Sequence, residues 1–313
     1  MKGLTLVKKQ LVMDQDLKRP VIKENQVLVK VAYASVNPTD ADVAKGKYAL
    51  LLKLSGGNHA VKTGLEFSGT IEQGNDKFAK GQKVFGYVDL MAGEKTHQQF
   101  IAINADFIAP MPQTLSFEQA AALPLGALTT LVALQDLAQI KQGDRVLVNG
   151  ASGGLGVYAV QIASILGANV TAMAGPNQEV FLKELGVSQV VDYQQHVITE
   201  LSQSFDVILD LTDNLRFKHI KHLLAASGKF IPTDPTLHLG AFLGNYVSAK
   251  KTKYLMVANG DHDKLSQIAR WVDDGKLQTF VDSVYNLADY KAAFKRLDAT
   301  GKRGRIVMKV ANT

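Results

Sequence analysis

The chain has 313 residues, 46% hydrophobic and 20% charged, with a net charge of +6 and no cysteine. That length sets a prior of about two domains and allows a large buried core, and the composition argues against disorder. The absence of cysteine excludes disulfides and every thiolate-ligated metal, cysteine-held zinc included. No apolar run approaches the ~20 residues that span a bilayer. Met1-Lys2-Gly3 leads at once into alternating apolar residues with no signal-peptide pattern, so the expectation is a cytoplasmic protein with no membrane partner. Positive residues are spread along the chain, densest at Lys250-Lys251 with Lys253 and at Lys302-Arg303 with Arg305. Neither is a basic run with interleaved aromatics, so no nucleic-acid partner is expected. A cofactor with several phosphates would use the same charge.

The first third reads as short strands between turns: Gln26 to Val31, Gly64 to Ile71 and Lys83 to Val88. Such spacing predicts an antiparallel, barrel-like domain. Near Ser116 the character changes. Ser116-Phe117-Glu118-Gln119 fits a capping box, and the Ala- and Leu-rich stretch after it predicts helix, interrupted around Pro124-Leu125-Gly126. From Arg145 onward strands alternate with helices. Strands are expected at Arg145–Asn149, Asn169–Met173, Gln189–Asp192, Asp206–Leu211, Lys229–Thr233 and Tyr254–Val257. This alternation predicts a parallel sheet covered on both faces. A helix is expected from Asp261, with Leu265, Ile268, Trp271 and Val272 on one face and Gly275 ending it, and then a last strand over Gly304 to Val310.

The strongest chemical signal is Val146-Leu147-Val148-Asn149-Gly150-Ala151-Ser152-Gly153-Gly154-Leu155-Gly156. An apolar strand runs into a glycine-rich turn and then a helix. Small residues at Ala151 and Gly153 let the backbone approach a pyrophosphate, and Gly156 lets the helix pack close to the sheet. Free amides and the helix dipole would hold the negative charge. The alternative is a purely structural tight turn, but strand before, helix after and a second strand some twenty residues on favour a dinucleotide. The second strand ends in Ala174-Gly175-Pro176-Asn177-Gln178, without the acid that grips a ribose diol in NAD-preferring sites. Nothing there repels a 2′-phosphate, and Asn177 or Gln178 could donate to it, though no Arg or Lys sits in the turn itself. NADPH is therefore expected over NADH.

In order along the chain, the sequence resembles the zinc-independent quinone oxidoreductase and enoyl reductase branch of the medium-chain dehydrogenase/reductase superfamily. The resemblance covers essentially the whole chain. It is carried by Ala34-Ser35-Val36-Asn37-Pro38-Thr39-Asp40, Thr63-Gly64-Leu65-Glu66-Phe67-Ser68-Gly69, Gly81-Gln82-Lys83-Val84-Phe85-Gly86 and Ala120-Ala121-Ala122-Leu123-Pro124. The glycine loop, Leu185-Gly186-Val187, Val191-Asp192-Tyr193 and Gly301-Lys302-Arg303-Gly304-Arg305-Ile306-Val307 extend it. It implies an α/β fold in which a Rossmann doubly wound parallel sheet is inserted into a GroES-like antiparallel β-barrel domain. The expected domains are 1–117 with 261–313, and 118–260. Catalysis would lie in the cleft between them, with a homodimer formed through the last Rossmann strand near Tyr254–Val257.

The resemblance also implies site residues. Asn37 would line the nicotinamide and substrate cleft, or serve only as a turn residue before Pro38. Asp40 would order that loop. Tyr48 would face the substrate pocket as a hydrogen-bond or proton donor, or be a plain surface tyrosine. Thr129 would lie near the nicotinamide, or bond back to a helix carbonyl. Ala151, Ser152, Gly153, Gly154, Leu155, Gly156, Gly175, Asn177 and Tyr193 would hold the cofactor, Tyr193 beside the 2′-phosphate. Zinc-dependent relatives have Cys near Ser35 and His where Leu65 stands, and Glu66 alone cannot hold a catalytic zinc; no metal is expected. The implied activity is NADPH-dependent hydride transfer to an enone, alkenal or quinone, with acyl-CoA acceptors left open. The competing reading is a cofactor-binding protein without turnover, such as a redox sensor or RNA-binding relative.

Overall fold

The computed structural model describes residues 1–7, 10–45, 62–233, 242, 245 and 248–311. Two strands, β1 (Gly3–Val7) and β2 (Gln10–Asp14), form a small antiparallel sheet at the N-terminus. The first large sheet then begins with β3 (Gln26–Val36), β4 (Glu66–Gln73), β5 (Lys83–Tyr87), β6 (Phe100–Asn104) and β7 (Ile108–Pro110). It is completed from the far end of the chain by β14 (Val281–Asn286) and β15 (Arg305–Lys309). The strand order is β14-β15-β3-β4-β5-β7, with β6 also paired to β3. Pairing is antiparallel except between β14 and β15, which run parallel.

β3 organises this sheet. Its eleven residues break register with β4 at Leu28/Val29 and Val31/Tyr33. Such irregularities bend and twist a strand. The first half can thus pair with β6 (Gln26–Lys30) while the second pairs with β15 (Tyr33–Val36). As a result Val36 lies opposite Ile306, and Ala34 opposite Phe67. The end of β3 and the starts of β4 and β15 meet at one edge, bringing Asn37, Glu66 and Arg305 together.

The second sheet is parallel: β8 (Arg145–Asn149), β9 (Asn169–Ala174), β10 (Gln189–Asp192), β11 (Phe205–Asp210), β12 (Leu224–Pro232) and β13 (Lys251–Thr252), in the order β10-β9-β8-β11-β12-β13. The order reverses between β8 and β11, which opens a crevice at the carboxyl ends of the strands. Alternation along β8 shows both faces covered. Val146 and Val148 belong to the main core with Val157 and Val160 of the helix Gly156–Ile165, while Leu147 joins a second core with Met173, Ile208, Ile220 and Phe230.

The sheets are joined by Phe117–Ala121, Pro124–Leu131 and a π-helical stretch, Val132–Ala138. The Ser116–Gln119 capping box forms as the sequence predicts, and Pro124 starts the second helix where a break was expected. The helix His262–Asp273 is capped by the Asp261 carboxylate and buries Leu265, Ile268 and Val272; Gly275 follows it at φ 72°.

One expected strand is displaced. Residues 254–257 do not extend the parallel sheet; the sixth strand is Lys251–Thr252. The cause lies in competing partners. Asn245 holds Thr252 through both its N–H (2.8 Å) and its carbonyl (2.7 Å). Beyond that point the carbonyls of Val257 and Ala258 accept from the Tyr87 hydroxyl (3.0 Å) and the Leu90 N–H (2.6 Å) of the other sheet's loop. The backbone there bonds across the seam between the sheets. Among the described residues no helix is long and apolar enough to cross a membrane.

Candidate functional site

β8 delivers the chain to a loop shaped by its glycines. Gly150 has φ 87°, and the N–H groups of Gly150 and Ala151 both donate to Met173 O at 3.0 Å, pinning the loop to β9. A Cβ on Gly156 would collide with Gly150 O and the Ala151 carbonyl, so the helix can start this close only with glycine there. A Cβ on Gly153 would meet nothing nearer than Gly150 O at 3.4 Å, so its face of the loop is open. The amides of Ser152, Gly154 and Leu155 have no acceptor among the described residues. An open glycine face with free amides at a helix N-terminus fits a pyrophosphate.

Over this loop lies a residue to which the sequence reading assigned no role. A Cβ on Gly154 would come within 2.9 Å of Arg305 Cδ and 3.1 Å of its Nη1. Arg305 starts β15, is 4% exposed, and donates through Nη2 to Glu66 Oε1 and to Asn37 Oδ1. The other oxygen of Glu66 accepts from Leu125 N–H at 2.7 Å, in the first turn of Pro124–Leu131. One carboxylate thus holds a cation from the C-terminal strand and the start of the connecting helix. Asn37 is fully buried; its N–H donates to Asp40 Oδ2 (2.8 Å), and Asp40 Oδ1 accepts from Gly64 N–H (2.6 Å), so Asp40 orders this loop. Two donors in the cluster, Asn37 Nδ2 and Arg305 Nε, have no partner among the described residues. Buried donors left open are costly and invite an acceptor.

Ser35 and Leu65 are held by hydrogen bonding and packing. Ser35 donates to Ala121 O at 2.7 Å, and Leu65 is 4% exposed in the core. Nearby His97 is buried between Thr63 Oγ1 (2.8 Å) and Ser35 O (2.9 Å), and burial holds its pKa below the usual imidazole value. Among the described residues no group of three or more His, Cys, Asp or Glu side chains is placed to hold a metal ion.

The turn after β9 gains the cation that its local sequence lacks. Arg303 reaches it from the C-terminal end of the chain, donating through Nε to Gln178 Oε1 (2.9 Å) and through Nη2 to Asn177 O (3.1 Å). Its guanidinium also lies 5.0 Å from the Phe181 ring centroid. Asn177 holds φ 61°, which presents its carbonyl to Arg303. Tyr193 borders the same turn: its N–H donates to Ala174 O (3.1 Å), and a Cβ on Gly175 would meet its hydroxyl at 3.0 Å. Gly175, Asn177, Tyr193 and Arg303 therefore share one small surface. The signal in the sequence was Lys302-Arg303 itself, but local reading cannot connect positions 126 residues apart.

Thr129 is 8% exposed in Pro124–Leu131; the hydroxyl that bonds back to helix carbonyls is that of Thr130, to Gly126 O (2.9 Å) and Ala127 O (3.1 Å). Tyr48 and the segment 50–60 lie outside the described residues. A separate groove of about 560 Å³, lined by Leu128, Val132, Asp136, His262 and Lys264 among others, contains none of the phosphate-loop residues.

Residues 23–135 match the alcohol dehydrogenase GroES-like domain family, and residues 185–308 match the zinc-binding dehydrogenase family. The chain is 31% identical to mouse quinone oxidoreductase, over 71% of this chain and 68% of that one. It is 28% identical to the mouse mitochondrial NAD(P)H oxidoreductase RTN4IP1, over 95% of this chain and 85% of the relative. The solved quinone oxidoreductase of Coxiella burnetii superposes with a TM-score of 0.86 at 27% identity, covering 99% of both chains. The GroES-like domain and the parallel Rossmann-like sheet expected from the sequence are both present.

The buried pair sets an expectation for stability. Replacing Glu66 by Gln leaves the Arg305 charge uncompensated in a site with almost no solvent. Breaking such a pair costs about 3–5 kcal/mol. Urea denaturation of Glu66→Gln should show a loss of that order, and adding Arg305→Met should recover part of it. A single-variant loss under about 1 kcal/mol would mean that the pair is effectively solvated.

Proposed function

The chain belongs to the medium-chain dehydrogenase/reductase superfamily, in its quinone oxidoreductase and enoyl reductase-like branch, and from that premise we propose that it is an NADPH-dependent, zinc-independent reductase of quinones or α,β-unsaturated carbonyls. The observation that carries the reading is the seam where the open glycine loop, Arg305 and the unpartnered Asn37 Nδ2 converge. Bound there, a reduced nicotinamide dinucleotide supplies the hydride.

In this reading the amides of Ser152, Gly154 and Leu155 and the Arg305 guanidinium bind the pyrophosphate, with Ala151, Gly153 and Gly156 giving the backbone its close approach. Asn37 offers Nδ2 to the nicotinamide or to the acceptor's oxygen, held in orientation by Arg305 on Oδ1. Thr129 flanks the nicotinamide, and Tyr48 remains assigned to the acceptor pocket. Gly175, Asn177 and Tyr193 surround the adenosine ribose. Arg303 carries the preference for NADPH, since a guanidinium already aimed at this turn can bind a 2′-phosphate in fork geometry. We place the domains at 1–117 with 261–313, and 118–260, so that β13 forms a free sheet edge through which a second copy can pair. The working compartment is the cytoplasm.

Two measurements test this. Gly153→Val adds bulk where a side chain meets only Gly150 O, so the fold should survive and NADPH binding by calorimetry should be lost. Wild-type-like binding would remove the loop from the site. Second, NADPH consumption with a panel of quinones and enones should favour NADPH over NADH, and Arg303→Gln should erase most of that preference. One hydrogen bond to a charged group contributes about 1.5–3 kcal/mol, so NADPH kcat/KM should fall by about 10- to 150-fold with little change for NADH. A wild type that binds NADPH yet reduces no acceptor would instead support a cofactor-binding protein without turnover.

A further inference from the structure

We propose that Asp282 is a positioning residue for cofactor choice, holding the loop that aims Arg303 at the turn after β9. The inference rests on the reading of Arg303 as the group that binds the 2′-phosphate, and names what gives that arginine its position.

Arg303 needs such support. It is an exposed residue near the end of the loop 298–304, which joins the helix Tyr290–Leu297 to β15. Gly301 and Gly304 flank it at φ 72° and 85°, so the backbone on either side is permissive and does little to fix its direction. A long side chain on such a loop must give up many conformations before it can grip a phosphate, and that loss weakens binding. Yet Arg303 is already directed at Gln178, Asn177 and Phe181.

Asp282 supplies the anchor. In β14 Val281 lies opposite Arg305 and Ser283 opposite Ile306, so Asp282 is an extra residue bulged out of the pairing. A bulge re-aims a side chain, and here the carboxylate faces the loop. Oδ1 accepts from Arg303 N–H (3.2 Å) and Arg296 Nη2 (2.8 Å), and Oδ2 accepts from Arg296 Nε (2.8 Å). Arg296 Nη1 reaches on to Thr300 O at 3.3 Å, inside the loop. The Lys302 ammonium ties the loop from its other side, donating to Leu297 O (2.7 Å) and to Ala299 O. The Asp282 side chain is only 5% exposed, which shields the two-pronged contact from the screening that weakens surface pairs. Burial pushes its carboxyl up, but hydrogen bonds from Arg296, Arg303 N–H and Ser283 outweigh that and hold it below the usual carboxylate range. The ionised form therefore grips the loop.

Arg305 does not share this dependence. Its N–H donates to Phe280 O (2.9 Å), and its guanidinium is held by Glu66 and Asn37. Loss of the Asp282 anchor should therefore loosen the residue proposed for the 2′-phosphate and spare the one proposed for the pyrophosphate. Both cofactors have the pyrophosphate; only NADPH has the 2′-phosphate. A clamp that served the fold alone would weaken both cofactors alike.

Calorimetric binding of NADPH and NADH to the full chain tests this without turnover. Asp282→Asn keeps the side chain's shape and removes its charge. It should weaken NADPH by about tenfold, at the low end of what an outer partner of a binding group contributes, and leave NADH affinity unchanged. Arg296→Lys keeps a cation but loses the fork, so it should act the same way, and it decides the matter if Asp282→Asn fails to fold. In an Arg303→Gln background neither substitution should change NADPH affinity further, since such a cycle isolates what passes through Arg303. Equal losses for the two cofactors, an unchanged NADPH affinity, or the same loss repeated on top of Arg303→Gln overturns the inference and leaves the reductase reading intact. If Arg303→Gln alone leaves the NADPH preference untouched, the assignment of the 2′-phosphate to Arg303 fails and the inference fails with it. A wild type that binds neither nucleotide overturns both the inference and the reductase reading.

Discussion

Everything in the site hangs on the buried contact between Arg305 and Glu66. Burying two opposite charges is costly, and their attraction repays the desolvation only when the remaining hydrogen-bonding capacity is used. Here it nearly is. Glu66 divides its oxygens between Arg305 and Leu125 N–H, and Arg305 divides its donors between Glu66 and Asn37. The pair therefore fixes three things at once: the N-terminus of the C-terminal strand, the start of the connecting helix, and the side chain of Asn37. The same guanidinium lies over Gly154, so the charge that is neutralised inside one sheet's edge borders the glycine loop of the other. The open Nε marks the unfinished part of the arrangement, a buried donor without a partner among the described residues.

With Leu65 in the core and the Ser35 hydroxyl bound to Ala121 O, the buried groups beside Glu66 that lack a partner among the described residues are Asn37 Nδ2 and Arg305 Nε, both donors. Open donors stabilise charge that appears on an acceptor oxygen, which is what the proposed reduction of a conjugated carbonyl or quinone would require.

The parts of this molecule legible in its sequence are those set by short-range rules. β8, the glycine turn and the helix after it were readable because strand periodicity, glycine placement and helix start occur within some twenty residues. The Ser116 cap was readable for the same reason. What escaped reading was set by pairing across the chain. The strand expected at 254–257 has suitable residues, but Tyr87 and Leu90 claim its carbonyls, and no local pattern encodes that competition. Arg303 and Arg305 were readable only as part of a dense positive spot, because the register of β15 against β3 is what reveals where they point.

The placement of the two arginines follows from the residue between them. Gly304 has φ 85°, and a Cβ there would run into Phe280 O, so the chain turns at a point where another residue would be both strained and obstructed. Before that turn Arg303 reaches Gln178 and Asn177 beyond β9; after it Arg305 enters the strand and reaches Glu66 and Gly154. Arg303 and Arg305 thus touch the turn after β9, the glycine loop and the Glu66–Asn37 cluster. Arg303 bonds to a loop of the parallel sheet, while Arg305 bonds within the mainly antiparallel domain and lies against Gly154 of the other, so the two bring the sheets together along the line a dinucleotide would occupy in the proposed reading. A ligand with phosphates at both places would bind two cations that the protein already holds in register, so little ordering entropy remains to be lost on binding.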